Sequence, residues 1–174
     1  MSTNEIIYRT DDFHVVATPD PDPQSPLETD LGFEYHFGIR RHLETTSHNC
    51  PRPYNPDYWF FPVYGYVHSG IRLSMTPFSC PFDSGMAGYV AVKQPSRGGE
   101  WRTRKNFRAY LEGFIQGFNA YLGGACYGYE IVETDTDKVV DSCWGFIGFD
   151  HTSSGLYEGG KASCDYSQAE YNKT

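Results

Sequence analysis

At 174 residues with a formal net charge of −8 the chain fits one domain, and a globule of that length buries about 70% of the surface its unfolded chain exposes, enough for a genuine core. Aromatic residues supply 17% of the chain, so the core must be built largely from Phe and Tyr, whose polar tips favour strands with one wet end. There is no apolar run of the ~18 residues a membrane span needs, and the first residues lack the basic start and apolar stretch of a signal peptide, so a cytoplasmic protein that avoids membranes is expected.

In chain order, Glu5 to Arg9 and Phe13 to Thr18 are short β-prone runs parted by Asp11 and Asp12, a hairpin pattern. Four prolines between Pro19 and Pro26 rule out a ladder or a helix there, so residues 19–30 form a Pro-rich acidic loop. Phe33, Tyr35, Phe37 and Ile39 alternate with Glu34, His36 and Gly38, as in a half-buried strand with His36 outward. After a long aperiodic loop, Tyr58 to Val67 is an aromatic run that Pro62 demotes to an edge strand or a bulge. Ile71, Leu73 and Met75 give the next strand after a His68-Ser69-Gly70 turn, and Ala87 to Lys93 another after an Asp83-Ser84-Gly85 corner.

From Thr103 the period changes. Phe107, Tyr110, Leu111, Phe114, Ile115, Phe118, Tyr121 and Leu122 mark one face of a helix that should stop at Gly123-Gly124. Gly113 and Gly117 inside it cost roughly 1 kcal/mol each relative to Ala, and their spacing predicts close approach to a sheet or another helix. Residues 126–133 and 138–149 flank Thr134 to Asp137 as a hairpin, with Tyr127, Tyr129 and Ile131 on its helix-facing side. The Ser, Gly, Tyr and acid content of 151–174 reads as a loosely held tail. The expectation is a single α+β domain over 1–174: a mostly antiparallel sheet of five to seven strands packed on the 103–122 helix, with a motif-bearing core over 60–149.

Charge is unevenly laid out. Residues 1–35 carry eight acids against Arg9, and 130–174 carry nine against Lys138, Lys161 and Lys173. Between Lys93 and Arg108 the sign reverses, with six basic residues opposed by Glu100. The acidic ends either direct the protein to a basic partner or simply keep it in solution. The basic run with Trp101 and Phe107 could touch nucleic acid, but a pI near 5.1 argues against direct nucleic-acid binding.

Five cysteines, odd in number and irregularly spaced, suggest reduced thiols rather than disulfides. The nearest approach to a metal set is His42, His48 and Cys50, without paired-ligand spacing, so neither a metal nor a cofactor is expected. The sharpest enzymatic constellation joins His68 with Cys80 or Cys143 and Asp83 or Asp141, a nucleophile, base and orienting acid. The structural reading of the same residues makes both cysteines small buried hydrophobes, both aspartates turn caps, and His68 a donor to a backbone carbonyl. Asp-Ser pairs at 83–84 and 141–142 lack the convergent oxygens a hard cation needs.

Val67-His-Ser-Gly-Ile71, Thr76-Pro-Phe-Ser-Cys-Pro-Phe-Asp-Ser-Gly85 with Gly88-Tyr89, and Asp141-Ser-Cys-Trp-Gly-Phe146 resemble the signature of a family of small accessory proteins of bacteriophages, prophages and plasmids. Phe82 stands where that pattern has Trp, and the likeness covers roughly residues 60–149. The family carries no settled activity, so no catalytic role passes to His68, Cys80, Asp83 or Cys143. The resemblance implies an anti-defence protein of the anti-CRISPR or anti-restriction type, acting in the bacterial host cytoplasm on a defence protein or ribonucleoprotein. An acidic, aromatic surface suits such a target, with Asp20, Asp22, Glu28, Asp30, Glu133, Asp135, Asp137, Tyr58 and Trp59 as its expected contacts. The enzymatic alternative is a small hydrolase or modifying enzyme using His68 with Cys80 or Cys143 and Asp83 or Asp141; a third is a virion or replication accessory protein that works as a homodimer.

Overall fold

A computed structural model describes residues 4–39 and 43–173. In chain order the strands are β1 (Glu5–Arg9), β2 (Phe13–Pro19), β3 (Glu34–Ile39), β4 (Leu43–Thr46), β5 (Tyr58–Val67), β6 (Ile71–Ser74), β7 (Ser84–Lys93), β8 (Cys126–Glu133) and β9 (Lys138–Ile147). The helices are α1 (Arg104–Leu122), between β7 and β8, and α2 (Leu156–Tyr171) at the end. The fold is α+β, with its strands in two antiparallel sheets. Where the sequence suggests a single domain, the chain divides into two compact units, one formed by residues 26–123 and the other by 1–25 with 124–174. None of the described helices is long and apolar enough to cross a membrane.

The central unit is a five-stranded sheet in the order β4-β3-β7-β5-β6. Alternation puts Phe37, Phe61, Val63, Val90 and Leu73 on one face, where they meet the α1 stripe of Phe107, Leu111, Ile115 and Phe118. Each of those helix side chains contributes about 1.5–3 kcal/mol by leaving water. Thr103 caps α1 by accepting from the Asn106 N–H (3.1 Å), and Gly124 turns left-handed after the last turn (φ 74°), so both ends fall where the sequence puts them. Asn119 adds a tie to the sheet edge: its side chain accepts from Leu73 N–H (2.7 Å) and donates to Leu73 C=O (2.8 Å).

Of the edge strand or bulge expected at Pro62 the first is not found and the second has a counterpart, and the expectation for the two helix glycines changes. β5 is an interior strand, but β6 pairs only with Tyr64–Val67, so Pro62 lies in the half whose outer edge is open and costs no ladder bond; the register shifts just beyond it. Gly113 and Gly117 face open space, with nothing within 4 Å of an added Cβ, so they mediate no close approach.

The terminal unit is a four-stranded sheet, β1-β2-β8-β9, covered by α2. Phe13, Val15, Ala17, Tyr129 and Ile131 point at Leu156 and Cys164. The expected loose tail is therefore a 16-residue helix docked on the core. Its buried face is made of Gly160, Cys164 and Leu156, too small to advertise a stripe. A Cβ on Gly160 would sit 2.7 Å from a Val15 methyl, so glycine is what lets the helix lie this close. The close packing expected of Gly113 and Gly117 occurs here instead. Tyr127, Tyr129 and Ile131 do face a helix, but it is α2.

Candidate functional site

The sequence candidates fall into the two units, three in one and two in the other. In the central unit the β5–β6 turn places His68, with Ser69 left-handed (φ 54°) and His68 N–H donating to Gly70 C=O (3.2 Å). The bend before β7 brings Cys80 and Asp83 alongside, because Val67 N–H donates to Asp83 C=O (2.9 Å) and Ser84 Oγ to Cys80 C=O. Asp83 is the centre of the group. Its Oδ2 lies 3.6 Å from His68 Nδ1 and accepts a long bond from Cys80 Sγ at 3.7 Å.

That geometry has a chemical reading. A cysteine nucleophile needs a base within about 2.6–3.2 Å of its sulfur, and here the carboxylate stands between thiol and imidazole. No Cys80–His68 hydrogen bond forms among the described residues. His68 and Asp83 alone make the orienting half of a general-base pair, at a distance longer than a hydrogen bond, with side chains 69% and 41% exposed. Asp83 also lines a cavity of about 390 Å³ with Phe82, Ser84, Met86, Ile39 and Val67. Of these lining residues Phe82 and Met86 are 86% and 67% exposed.

In the terminal unit Asp141 and Cys143 lie on the edge strand β9. Asp141 Oδ1 accepts from Ser142 N–H (2.9 Å) and Oδ2 from Ser163 Oγ, so this carboxylate quiets an edge amide and fastens α2. Cys143 is exposed and Cys80 half-exposed; the cysteines that behave as small buried hydrophobes are Cys126 and Cys164. Burial pushes the thiols of Cys126 and Cys164 up. All five cysteines are free. His42 of the weighed metal set lies outside the described residues, and Cys50 is engaged elsewhere, donating to Tyr89 Oη (3.7 Å). Among the described residues no cluster of three or more His, Cys, Asp or Glu could hold a metal.

The expected binding residues do not form one set. Asp20, Asp22, Glu133, Asp135 and Asp137 belong to the terminal unit, and Glu28, Asp30, Tyr58 and Trp59 to the central one. Asp20 accepts from Asp22 and Gly145 N–H groups, and Glu133 from Thr136 Oγ1, while Asp22, Asp135 and Asp137 are exposed. Asp30 accepts from Gly32 N–H, and Glu28 is exposed. Trp59 packs on the core side of β5; Tyr58 is on the other.

Sequence reasoning missed the face to which Tyr58 belongs. Tyr58, Phe60, Pro62, Tyr64 and Tyr66 alternate along β5 away from α1, with Tyr89 and His36 beside them on β7 and β3. The ring of Phe60 lies 6.5 Å from Tyr58 and 5.5 Å from Tyr89. Tyr89 donates to Pro51 C=O (3.0 Å), and loss of water pushes its hydroxyl up to about 12. The signal that could have found this row is the parity of the β5 run.

No protein-family model, curated protein or solved structure matches this chain.

Proposed function

We propose that this protein is a non-catalytic anti-defence inhibitor of a bacteriophage or other mobile element, working in the bacterial cytoplasm. Its acidic unit would occupy the basic nucleic-acid-handling surface of a host CRISPR or restriction complex. The observation that carries this reading is the division of charge between the units. The terminal unit holds fourteen acids against four Lys and Arg, a net of −10, and the central unit eight against ten, a net of +2. A body of that size with ten excess negative charges is attracted to a basic channel and competes there with phosphate backbones. Asp135 and Asp137 at the exposed β8–β9 turn are well placed to lead such a contact.

The test is inhibition of purified effector and restriction complexes against inhibitor concentration. Inhibition should saturate near equimolar protein, fade as salt rises, and fall at least tenfold when Asp135 and Asp137 are both changed to Lys. Turnover by substoichiometric protein would overturn it. The alternative, a small hydrolase or modifying enzyme, draws on the His68–Asp83 contact beside the 390 Å³ cavity. In that case His68→Ala and Asp83→Asn abolish the effect while Asp135→Lys with Asp137→Lys leaves it unchanged.

A further inference from the structure

We infer that the β5 face of the central unit is a stacking platform for single-stranded nucleic acid. This goes beyond the inhibitor reading and rests on the other unit. Tyr58 and Phe60, then Tyr64 and Tyr66 beyond Pro62, stand on the side of the sheet away from α1, two aromatic pairs in a row about 27 Å long at the usual strand rise. All four residues are half-buried: Phe60 lies between Tyr58 (6.5 Å) and Tyr89 (5.5 Å), and Tyr66 has the ring of Phe78 5.5 Å away. Exposed cations close both ends in register: Lys93 pairs with Tyr58, and Arg72 with Tyr66. Of the acids near this face, Glu34 and Glu44 belong to β3 and β4, on the far side of Tyr89; Asp57, next to Tyr58, is paired with Arg97 (3.4 Å), and Asp83 lies 3.6 Å from His68, whose ring is 6.2 Å from that of Tyr66. Aromatic steps between two positive ends fit a strand whose bases stack and whose phosphates pass each cation, and the row is long enough for about four nucleotides at ~6–7 Å each. A polypeptide partner would not require cations at both ends.

The acidic pI of the whole chain argues against such binding, but that argument averages two bodies. Taken alone the central unit is net positive. A duplex is not expected to bind, because its bases are already stacked and, among the described residues, Lys93 and Arg72 are the cations in register with the row.

The experiment is fluorescence anisotropy of the full chain with labelled twelve-nucleotide oligothymidylate, oligouridylate and a duplex of equal length. Both single strands should bind and the duplex should not; a preference between DNA and RNA arms identifies the natural strand. With two phosphate contacts, affinity should fall about sevenfold from 50 to 200 mM salt. Phe60→Leu and Tyr64→Leu keep apolar bulk but remove rings, and each should weaken binding roughly 5- to 150-fold. Tyr54→Ala, 95% exposed and off the strand, should change nothing. No binding at 50 mM salt, equal binding of the duplex, or binding indifferent to Phe60→Leu and Tyr64→Leu would each overturn the inference. So would loss of inhibition in those variants without any oligonucleotide binding, which would make the face a protein-docking surface. Asp135→Lys with Asp137→Lys should leave oligonucleotide affinity intact or tighter, so the two proposals can fail separately.

Discussion

The two helices do the same job by opposite means. α1 lays Phe107, Leu111, Ile115 and Phe118 on its sheet, a wide stripe of large side chains that holds the helix off at ring thickness and leaves Gly113 and Gly117 on the open side. α2 reaches its sheet through Gly160, Cys164 and Leu156, so close that Val15 and Tyr129 occupy the space a side chain at Gly160 would need. A glycine inside a helix is a cost at one site and a condition of packing at the other, and only the neighbour tells which.

The comparison is broken most directly at Gly160. Gly160→Val should destabilise the terminal unit by about 3 kcal/mol, because overpacking outweighs any gain in helix propensity. Hydrogen-exchange protection of β2 and β8 amides reads this loss, with the central unit's amides as the internal control. Protection unchanged by the substitution would mean that α2 is not docked this tightly.

The same contrast explains what the sequence disclosed. α1 was legible to the residue because large apolar groups at 3.6-residue spacing, a Thr cap and a Gly pair all agree. α2 was not, because a buried face of glycine and cysteine has little apolar mass to show. Nor could the division into units be read: β2 pairs with β8 across more than a hundred residues, and local patterns carry no information about that. The sequence leaves Cys80 or Cys143 and Asp83 or Asp141 as alternatives beside His68; the bend at 80–83 brings Cys80 and Asp83 to it, with the carboxylate in the middle. Trp59 was placed on the binding surface although its parity with Phe61 and Val63 puts it on the core side.

Asn119 offers the next largest effect. Its amide satisfies both backbone groups of Leu73 on β6, so the helix covers a sheet edge as well as a sheet face. Asn119→Ala leaves those groups without their partner and should cost about 1–2 kcal/mol. Denaturant unfolding reads the cost, with a shift of midpoint at constant slope. By contrast Gly113→Ala, exposed and unobstructed, should raise stability by about 1 kcal/mol. A loss there would show that something packs on the outer side of α1.

The smallest effect separates the helices by pH. On the terminal unit Asp165 accepts from Lys161 Nζ (2.7 Å) and Tyr8 Oη (2.8 Å), joining α2 to β1. Those hydrogen bonds hold its carboxyl below the ordinary 3.8 and raise Lys161 above 10.5. A carboxyl lowered on folding stabilises fully above its unfolded value and loses that contribution as pH falls through the folded one; the raised lysine loses its own only in strong alkali. Acidification also discharges the fourteen acids of this unit, relieving repulsion that opposes folding, so the total change with pH does not isolate Asp165. The difference between wild type and Asp165→Asn does. It should be small at neutral pH, since the pair is well exposed, and should fade as pH falls below 3.8, vanishing once Asp165 takes up its proton in the folded state as well. α1 is tied to its sheet by Asn119 and by Arg104, which donates to Phe60 C=O (2.9 Å), and neither contact involves Asp165, so protection of the α1 amides should be equal in the two proteins at every pH.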